Sequence, residues 1–257
     1  LMKKVLFIGD IHGRTDWRET ALEGMKRFQE VVFLGDYFDS FDQSFFQQME
    51  NFRAFLSFVR KKGGTALLGN HDYAYIHGYS QISGYQFAQA HQIQQILKEN
   101  IDLFNIAWGY RNTKQIYTLA SHAGLTQTFW NRYILPEFDE GGFIRRLFKV
   151  ESPDQNAPDW GVPLEDKLQN LEIHETLNYL KDKRDLMWKV GSMRGGAGTP
   201  GPLWADIQEL NEDPMGGINQ VVGHTAGHSI TLDFPDDRFI AKVDNFGKKT
   251  ASLVISL

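Results

Sequence analysis

Five short phrases in this chain end in side chains of metal-binding type. Asp10 and His12 follow Val5-Leu6-Phe7-Ile8-Gly9, and Asp36 follows Val31-Val32-Phe33-Leu34-Gly35. Asn70 and His71 follow Thr65-Ala66-Leu67-Leu68-Gly69. His122 follows Tyr117-Thr118-Leu119-Ala120-Ser121, and His224 follows Val221-Val222-Gly223. Asp10, His12, Asp36, Asn70, His122 and His224 together offer nitrogen and oxygen donors without sulfur. That mix suits borderline or hard divalent ions such as Mn, Fe, Zn, Ni, Co or Mg. The set is too large for one tetrahedral zinc and suits two ions about 3.5–4 Å apart that share a carboxylate. Such a pair makes hydroxide available near neutrality and clamps the oxygens of a phosphate during in-line attack.

Those donors need elements that aim them at one point. The apolar, β-branched runs before them read as buried strands. Glycine at a strand end lets the backbone turn sharply and come close to a ligand. Helix-compatible stretches fill residues 15–29 and 43–62, between the first three phrases. Strands alternating with helices predict βαβ units and a mostly parallel sheet, whose binding crevice lies beyond the strand carboxyl ends. The linear pattern therefore predicts Asp, His and Asn side chains converging on one edge. Ser229 to Phe234, Arg238 to Asp244 and Thr250 to Ser256 read as short strands. Turns at Pro235-Asp236-Asp237 and Asn245-Phe246-Gly247 make them an antiparallel meander, in a second sheet or at a sheet edge. Residues 152–163 read as a surface loop, and Leu164 to Lys189 as a charged amphipathic helix. We read residues 1–257 as a single domain with a helical insertion around 135–200.

Composition narrows the class. At 257 residues the chain can bury a core without staples. It has no cysteine, which excludes a disulfide scaffold, a thiolate nucleophile and Cys-ligated metal. A net charge of -5 argues against broad nucleic-acid binding. No apolar run reaches membrane-spanning length. Lys3 to Ile8 meets Asp10 too soon for a signal sequence, so the expected location is cytoplasmic.

Gly9-Asp10-Ile11-His12-Gly13, Gly35-Asp36-Tyr37-Phe38-Asp39, Gly69-Asn70-His71-Asp72, Ser121-His122-Ala123-Gly124-Leu125 and Gly223-His224-Thr225 resemble, in order, the motifs of calcineurin-like metallophosphoesterases. The nearer likeness is to the phosphoprotein-phosphatase branch, which includes bacterial and phage serine/threonine phosphatases and diadenosine-tetraphosphate hydrolases. The resemblance runs from residue 5 to about residue 225, dense at the motifs and thin between them. It implies an α/β fold of αββα type, two mixed β-sheets packed as a sandwich and flanked by helices. It also implies two divalent ions, with manganese the expected choice in vitro. By it, Asp10 and His12 hold the first ion, Asp36 bridges, and Asn70, His122 and His224 hold the second. His71 is then the general acid for the leaving oxygen, and Asp39 orients it. The implied reaction is hydrolysis of phosphomonoesters by a metal-bridging hydroxide. No covalent phosphoenzyme is expected, because the motifs hold no nucleophilic side chain. Implied partners are a phosphorylated small molecule, a nucleotide or a phosphoprotein.

Three departures qualify the resemblance. Ser40-Phe41 stand where the family has Arg-Gly, Asp72 stands where protein phosphatases have Glu, and Ala226 stands where other branches have a second His. Arg194, ahead of Leu203-Trp204-Ala205-Asp206, is the first candidate to replace the missing phosphate-binding arginine, and Arg14 the second. Guanidinium suits that task because it donates in a bidentate fork. Two other readings stay open: hydrolysis of dinucleoside polyphosphates or cyclic nucleotides on the same centre, and a non-catalytic metal-binding scaffold. An HD-type hydrolase is rejected because His71-Asp72 follows a strand. A haloacid-dehalogenase nucleophile is rejected because His12, not Asp, follows Asp10 at two residues. His77, His91 and His174 read as structural. His228 reads as structural or as an extra ligand. Residues 143–149 read as a basic helical turn that packs one face. Tyr73 to Gln95 is placed to wall the pocket. Tyr73, Tyr75 and Tyr79 either stack on an aromatic leaving group or pack internally, and packing is the stronger reading.

Overall fold

The computed structural model describes residues 3–135, 172–231, 238–244 and 249–257. The chain starts as three parallel crossovers. Strands β1 (Lys4–Ile8), β2 (Glu30–Phe33), β3 (Thr65–Leu67) and β4 (Phe104–Asn105) lie side by side in that order, all parallel. Helix α1 (Trp17–Arg27) joins β1 to β2, and α2 (Phe45–Lys62) joins β2 to β3. Helices α3 (Asn70–His77) and α4 (Ala90–Lys98) precede β4. A second sheet holds β5 (Ala107–Arg111), β6 (Tyr117–Ser121), β7 (Ile218–Val222), β8 (Gly227–Thr231) and β9 (Ile240–Asp244). Its order is β5-β6-β7-β9-β8, with β6, β7 and β9 parallel and the two edge strands antiparallel. The last strand, β10 (Ser252–Ser256), returns to the first sheet and pairs antiparallel with β1, Leu6 opposite Val254.

Side-chain alternation explains why the two sheets stack. Val5, Phe7, Val32, Leu34 and Leu67 face Trp108, Ala120, Val221, Ala241 and Val243 of the other sheet. The residues between them, Leu6, Ile8, Val31, Phe33 and Ala66, meet Trp17, Phe52 and Phe55 from the helices. A strand buried on both faces must be apolar at every position, which is the run seen in the sequence. Helix α2 begins at Ser44, whose hydroxyl accepts from Gln47 N in a capping box, and ends at Gly63 with φ 85°. Arg60, Lys61 and Lys62 fill its last turn, where the helix dipole favours cations. Over β5 lies the helix Ile173–Tyr179; Asn178 Oδ1 accepts from Ile106 N and Ala107 N at 2.8 and 2.9 Å.

The two mixed sheets flanked by helices are the αββα arrangement read from the sequence. Two details differ. The single helix expected over Leu164 to Lys189 is broken within its described part, into Ile173–Tyr179 and Arg184–Met187. Glu172 opens the first piece with a capping box to Glu175, and such a cap starts a helix instead of continuing one. The C-terminal strands do not form one meander: β8 and β9 form a hairpin in the second sheet, and the third run crosses to the first. That crossing gives β1 a second neighbour and covers an otherwise open edge. The loop over 152–163 and the basic turn over 143–149 lie outside the described residues.

Candidate metal centre

All five donor phrases reach the same end of the sandwich. Asp10, Asp36 and Asn70 follow β1, β2 and β3, and His122 and His224 follow β6 and β7. The glycines before them are required by space. A Cβ on Gly9 would lie 1.9 Å from Val243 O, one on Gly69 1.9 Å from Asp36 Oδ1, and one on Gly223 2.3 Å from Asp10 Oδ1. Backbone conformation at the donors is equally specific. His12 (φ 42°), Asp36 (53°), Asp39 (64°) and His224 (61°) are left-handed, a region that costs a non-glycine residue about 1–3 kcal/mol. The surroundings hold them there: His12 N donates to Asp36 O at 2.7 Å, and His224 N donates to Asp10 Oδ1 at 3.2 Å.

The donor atoms form two groups that share Asp36. One is His12, Asp36 and His71; the other is Asp10, Asp36 and His122; within each, one ligand-type atom per residue lies within 4.8 Å of the others. Asp36 Oδ2 is 3.4 Å from His122 Nε2, 3.6 Å from His12 Nε2 and 3.9 Å from His71 Nε2. Asp10 Oδ2 lies 3.9 Å from His12 Nε2, so Asp10 stands between the groups. Asn70 Oδ1 approaches His122 Nε2 at 2.9 Å and His224 Nδ1 at 3.1 Å.

A cation fits this cluster because its inward-facing atoms are acceptors. His12 Nδ1 donates to Phe38 O at 2.7 Å, and His122 Nδ1 donates to Leu34 O at 2.8 Å. Each neutral imidazole therefore turns the lone pair of Nε2 toward Asp36. His122 Nε2 also faces Asn70 Oδ1 and, at 3.2 Å, His224 Nδ1. One hydrogen on His224 Nδ1 satisfies at most one of those contacts, and then Nε2 of the same ring is buried without a partner. Lone pairs packed against lone pairs repel unless a positive ion sits among them. Nitrogen and oxygen donors without sulfur select borderline or hard divalent ions.

Electrostatics separates the histidines. Burial holds His12 down to about 4, with Asp36 opposing it and His71 adding to it. Burial also lowers His122 and His224, which favours the neutral, ligating form over the charged one. For His71 burial acts in the same sense, but the charges of Asp36 and Asp39 outweigh it and raise the ring to about 9. Burial opposes ionisation of Asp36, yet the positive charge that the surrounding histidines carry when protonated, His122 first and then His71, holds it below the usual carboxylate range. Asp10 goes the other way, raised by burial and then by Asp244 and Asp36.

His71 Nδ1 meets Asp39 Oδ2 at 2.7 Å, in a site where Asp39 is fully buried. Both arginines line the same cavity, which measures about 730 Å³. Arg14 Nη2 donates to Asp10 O at 2.7 Å. Arg194 Nη2 pairs with Asp206 Oδ2 at 3.0 Å and donates to Thr225 Oγ1 at 2.9 Å. All ten residues singled out in the sequence thus reach this one region. Of the other histidines, His77 packs on Tyr73, His174 Nδ1 bonds the Tyr117 hydroxyl at 2.7 Å, and His91 is exposed. His228 sits in β8, and its side chain lies outside the described residues. Tyr73 and Tyr75 point into the core and Tyr79 stacks on Trp188, so Gln81, Ile82 and Ser83 form that wall instead.

Sequence reading gave several participants no role. Asp72, fully buried, accepts from the backbone N–H groups of Asp36, Tyr37 and Gly69 at 2.8–3.0 Å and ties the second phrase to the third. Asp244 ends β9 and lines the cavity. The run Ile240-Ala241-Lys242-Val243-Asp244 has the same strand-then-donor form as the five phrases, and that was its signal. The carbonyls of Leu34 and Phe38, which fix two imidazole tautomers, leave no mark in the sequence.

The sequence matches the family model for calcineurin-like phosphoesterases over residues 3–182. None of the curated proteins matches the chain. Among solved structures, the chain is similar to the crystal structure of a metallophosphoesterase from Sphaerobacter thermophilus. Identity is 13%, coverage is 98% of this chain and 83% of that one, and the TM-score is 0.46.

Proposed function

We propose that this chain, which belongs to the calcineurin-like phosphoesterase family and is a metal-dependent phosphoesterase, hydrolyses phosphomonoesters at a centre of two divalent ions. The observation that supports the reading is the sharing of Asp36 between two donor groups, one of which includes His71, the ring whose Nδ1 is held by Asp39. Asp10, His12 and Asp36 would hold one ion, and Asp36, Asn70, His122 and His224 the other. Ions held there would acidify water and draw charge from the phosphoryl oxygens. His71 serves as proton donor to the leaving oxygen. Its Nδ1–H is committed to Asp39, so Nε2 is the nitrogen that gives up a proton. A phosphomonoester carries one more negative charge than a diester. Arg14 and Arg194 on the cavity walls supply the positive charge to hold it, which favours the monoester.

A second reading keeps the same centre but takes a nucleotide, either a dinucleoside polyphosphate or a cyclic nucleotide. It is favoured by the cavity's size and by Trp188 and Trp204 on one wall, which offer aromatic surface beyond what a phosphate needs. The test is elemental analysis of metal-loaded protein, with turnover measured on 4-nitrophenyl phosphate, a phosphopeptide, a dinucleoside tetraphosphate and a phosphodiester. About two metals per chain and fastest turnover of a monoester, lost on chelation and restored by Mn²⁺, is the expected result. Fastest turnover of the tetraphosphate or the diester selects the second reading. Metal bound without hydrolysis of any of the four would turn the protein into a binding scaffold.

A further inference from the structure

Asp39 has more donors than a single histidine needs. Its Oδ2 takes the proton of His71 Nδ1, while Oδ1 accepts from the Tyr75 hydroxyl at 2.5 Å and from Gln86 Nε2 at 3.1 Å. Neither Tyr75 nor Gln86 belongs to a donor phrase. Tyr75 lies on α3, one turn after His71, and is 1% exposed. Gln86 comes from the segment between α3 and α4.

The hydrogen-bond directions in this group are fixed by elimination. Gln86 N donates to the Tyr75 oxygen at 2.8 Å, so the hydroxyl's one proton is left for Asp39. Gln48 Nε2 donates to Gln43 O, which turns Gln48 Oε1 toward Ser40 N and Gln86 Nε2. That contact identifies the amide nitrogen of Gln86 as the atom facing both Gln48 and Asp39. Helix α3 and the segment at 86 thus reach the Asp39 carboxylate directly, and Gln48 of helix α2, which also holds Ser40 N, reaches it through Gln86. The Asp39 backbone is left-handed, so it is a position that needs neighbours to hold it. Donors to an ionised carboxylate form the stronger class of hydrogen bond, and here they fix its plane.

We propose that Tyr75 and Gln86 are positioning residues for the reaction: they lock Asp39, and Asp39 locks the His71 ring with Nε2 toward the cavity. The inference rests on His71 being the proton donor. Removing the Tyr75 hydroxyl leaves Asp39 Oδ1 held by Gln86 alone, which loosens the carboxylate and, with it, the ring. Proton delivery then weakens, while the metal donors on the far side of Asp36 stay in place.

The test compares metal-loaded wild type, Tyr75→Phe, Gln86→Leu, His71→Gln and the double variant Tyr75→Phe/His71→Gln. Substrates are 4-nitrophenyl phosphate, a good leaving group, and phenyl phosphate, a poor one. Positioning predicts that Tyr75→Phe lowers kcat about tenfold on phenyl phosphate, a fraction of the ~10²–10⁴ a general acid supplies, and much less on 4-nitrophenyl phosphate. Metal content and KM stay near wild type. Gln86→Leu, on a segment outside the helices, shows the same pattern more weakly, and the double variant falls no further than His71→Gln alone. Equal losses on both substrates, loss of metal, or additive losses in the double variant overturn the inference. If His71→Gln itself loses metal or treats both substrates alike, the proton-donor reading falls and the inference falls with it.

Discussion

Gly69→Ala tests whether the glycines of the donor phrases are there for space. At Gly69 the backbone has φ -91° and ψ 175°, which alanine adopts freely. Whatever the substitution costs is therefore steric. The new Cβ would lie 1.9 Å from Asp36 Oδ1, 2.6 Å from Asp36 N and 2.7 Å from Asp36 Cγ, against a closest observed approach of 3.0 Å. Asp36 cannot swing aside at no cost, because Oδ1 accepts from His71 N at 3.0 Å and its own N–H is held by Asp72 at 2.8 Å. One side must yield by about 1 Å, and a misplacement of that size costs on the order of 10²-fold in rate. Overpacking of this kind costs about 1–3 kcal/mol of stability, and each kcal/mol lowers Tm by ~2–4 °C in a chain of this size.

The assay is metal content, kcat and thermal melting, run beside Gly78→Ala. Gly78 is left-handed with φ 79°, and a Cβ there meets nothing within 4 Å. Alanine at 78 pays about 1–2 kcal/mol of conformational strain and touches no donor. The expected pattern is that both variants melt lower but only Gly69→Ala loses metal and rate. A Gly69→Ala protein with its full metal complement and wild-type kcat would refute the steric reasoning. Equal metal loss in both variants would refute it too.

Two further outcomes follow from the same geometry. Asp36→Asn should lower metal content in both donor groups. Elemental analysis decides it, and two tightly held metals would contradict it. Arg194→Ala should raise KM for phosphomonoesters about tenfold, one charge-assisted contact of ~1.5–3 kcal/mol being lost, with stability changed by under ~1 kcal/mol because its pair with Asp206 is part-exposed; an unchanged KM would move the phosphate contact to Arg14.

Strands β1, β2, β3, β6 and β7 were legible because burial on both faces forces a continuous apolar run, and a short run of that kind has few other uses. The donors were legible because each sits where such a run stops. What the sequence hid has a common cause. The break near residue 180 and the return of β10 to the first sheet depend on which neighbour an element finds, and local pattern does not carry that. Tyr73 and Tyr75 look alike in the sequence, and only packing sends one hydroxyl to Lys181 O and the other to Asp39. Gln86 stands 47 residues from Asp39, in a segment whose composition alone suggests nothing beyond a polar loop.

The left-handed donors explain why the centre is built on strand ends and not on helices. A strand's side chains point to one sheet face or the other, so its last residue does not by itself reach over the strand ends. A reversal of the chain at that point brings the side chain back over the ends of both sheets, and positive φ makes the reversal within one residue. Among the described residues, four of the five non-glycine positions with positive φ are His12, Asp36, Asp39 and His224; the fifth, Gln115, is in the β5–β6 turn. At about 1–3 kcal/mol each, such positions weigh heavily against a total stability of ~5–15 kcal/mol. They persist because the strands behind them are buried on both faces and because Asp72 pins two of the loops together. The two mixed sheets are therefore part of the chemistry: each brings donors that the other lacks, and only their stacking closes the distance between Asp36 and His122 to 3.4 Å.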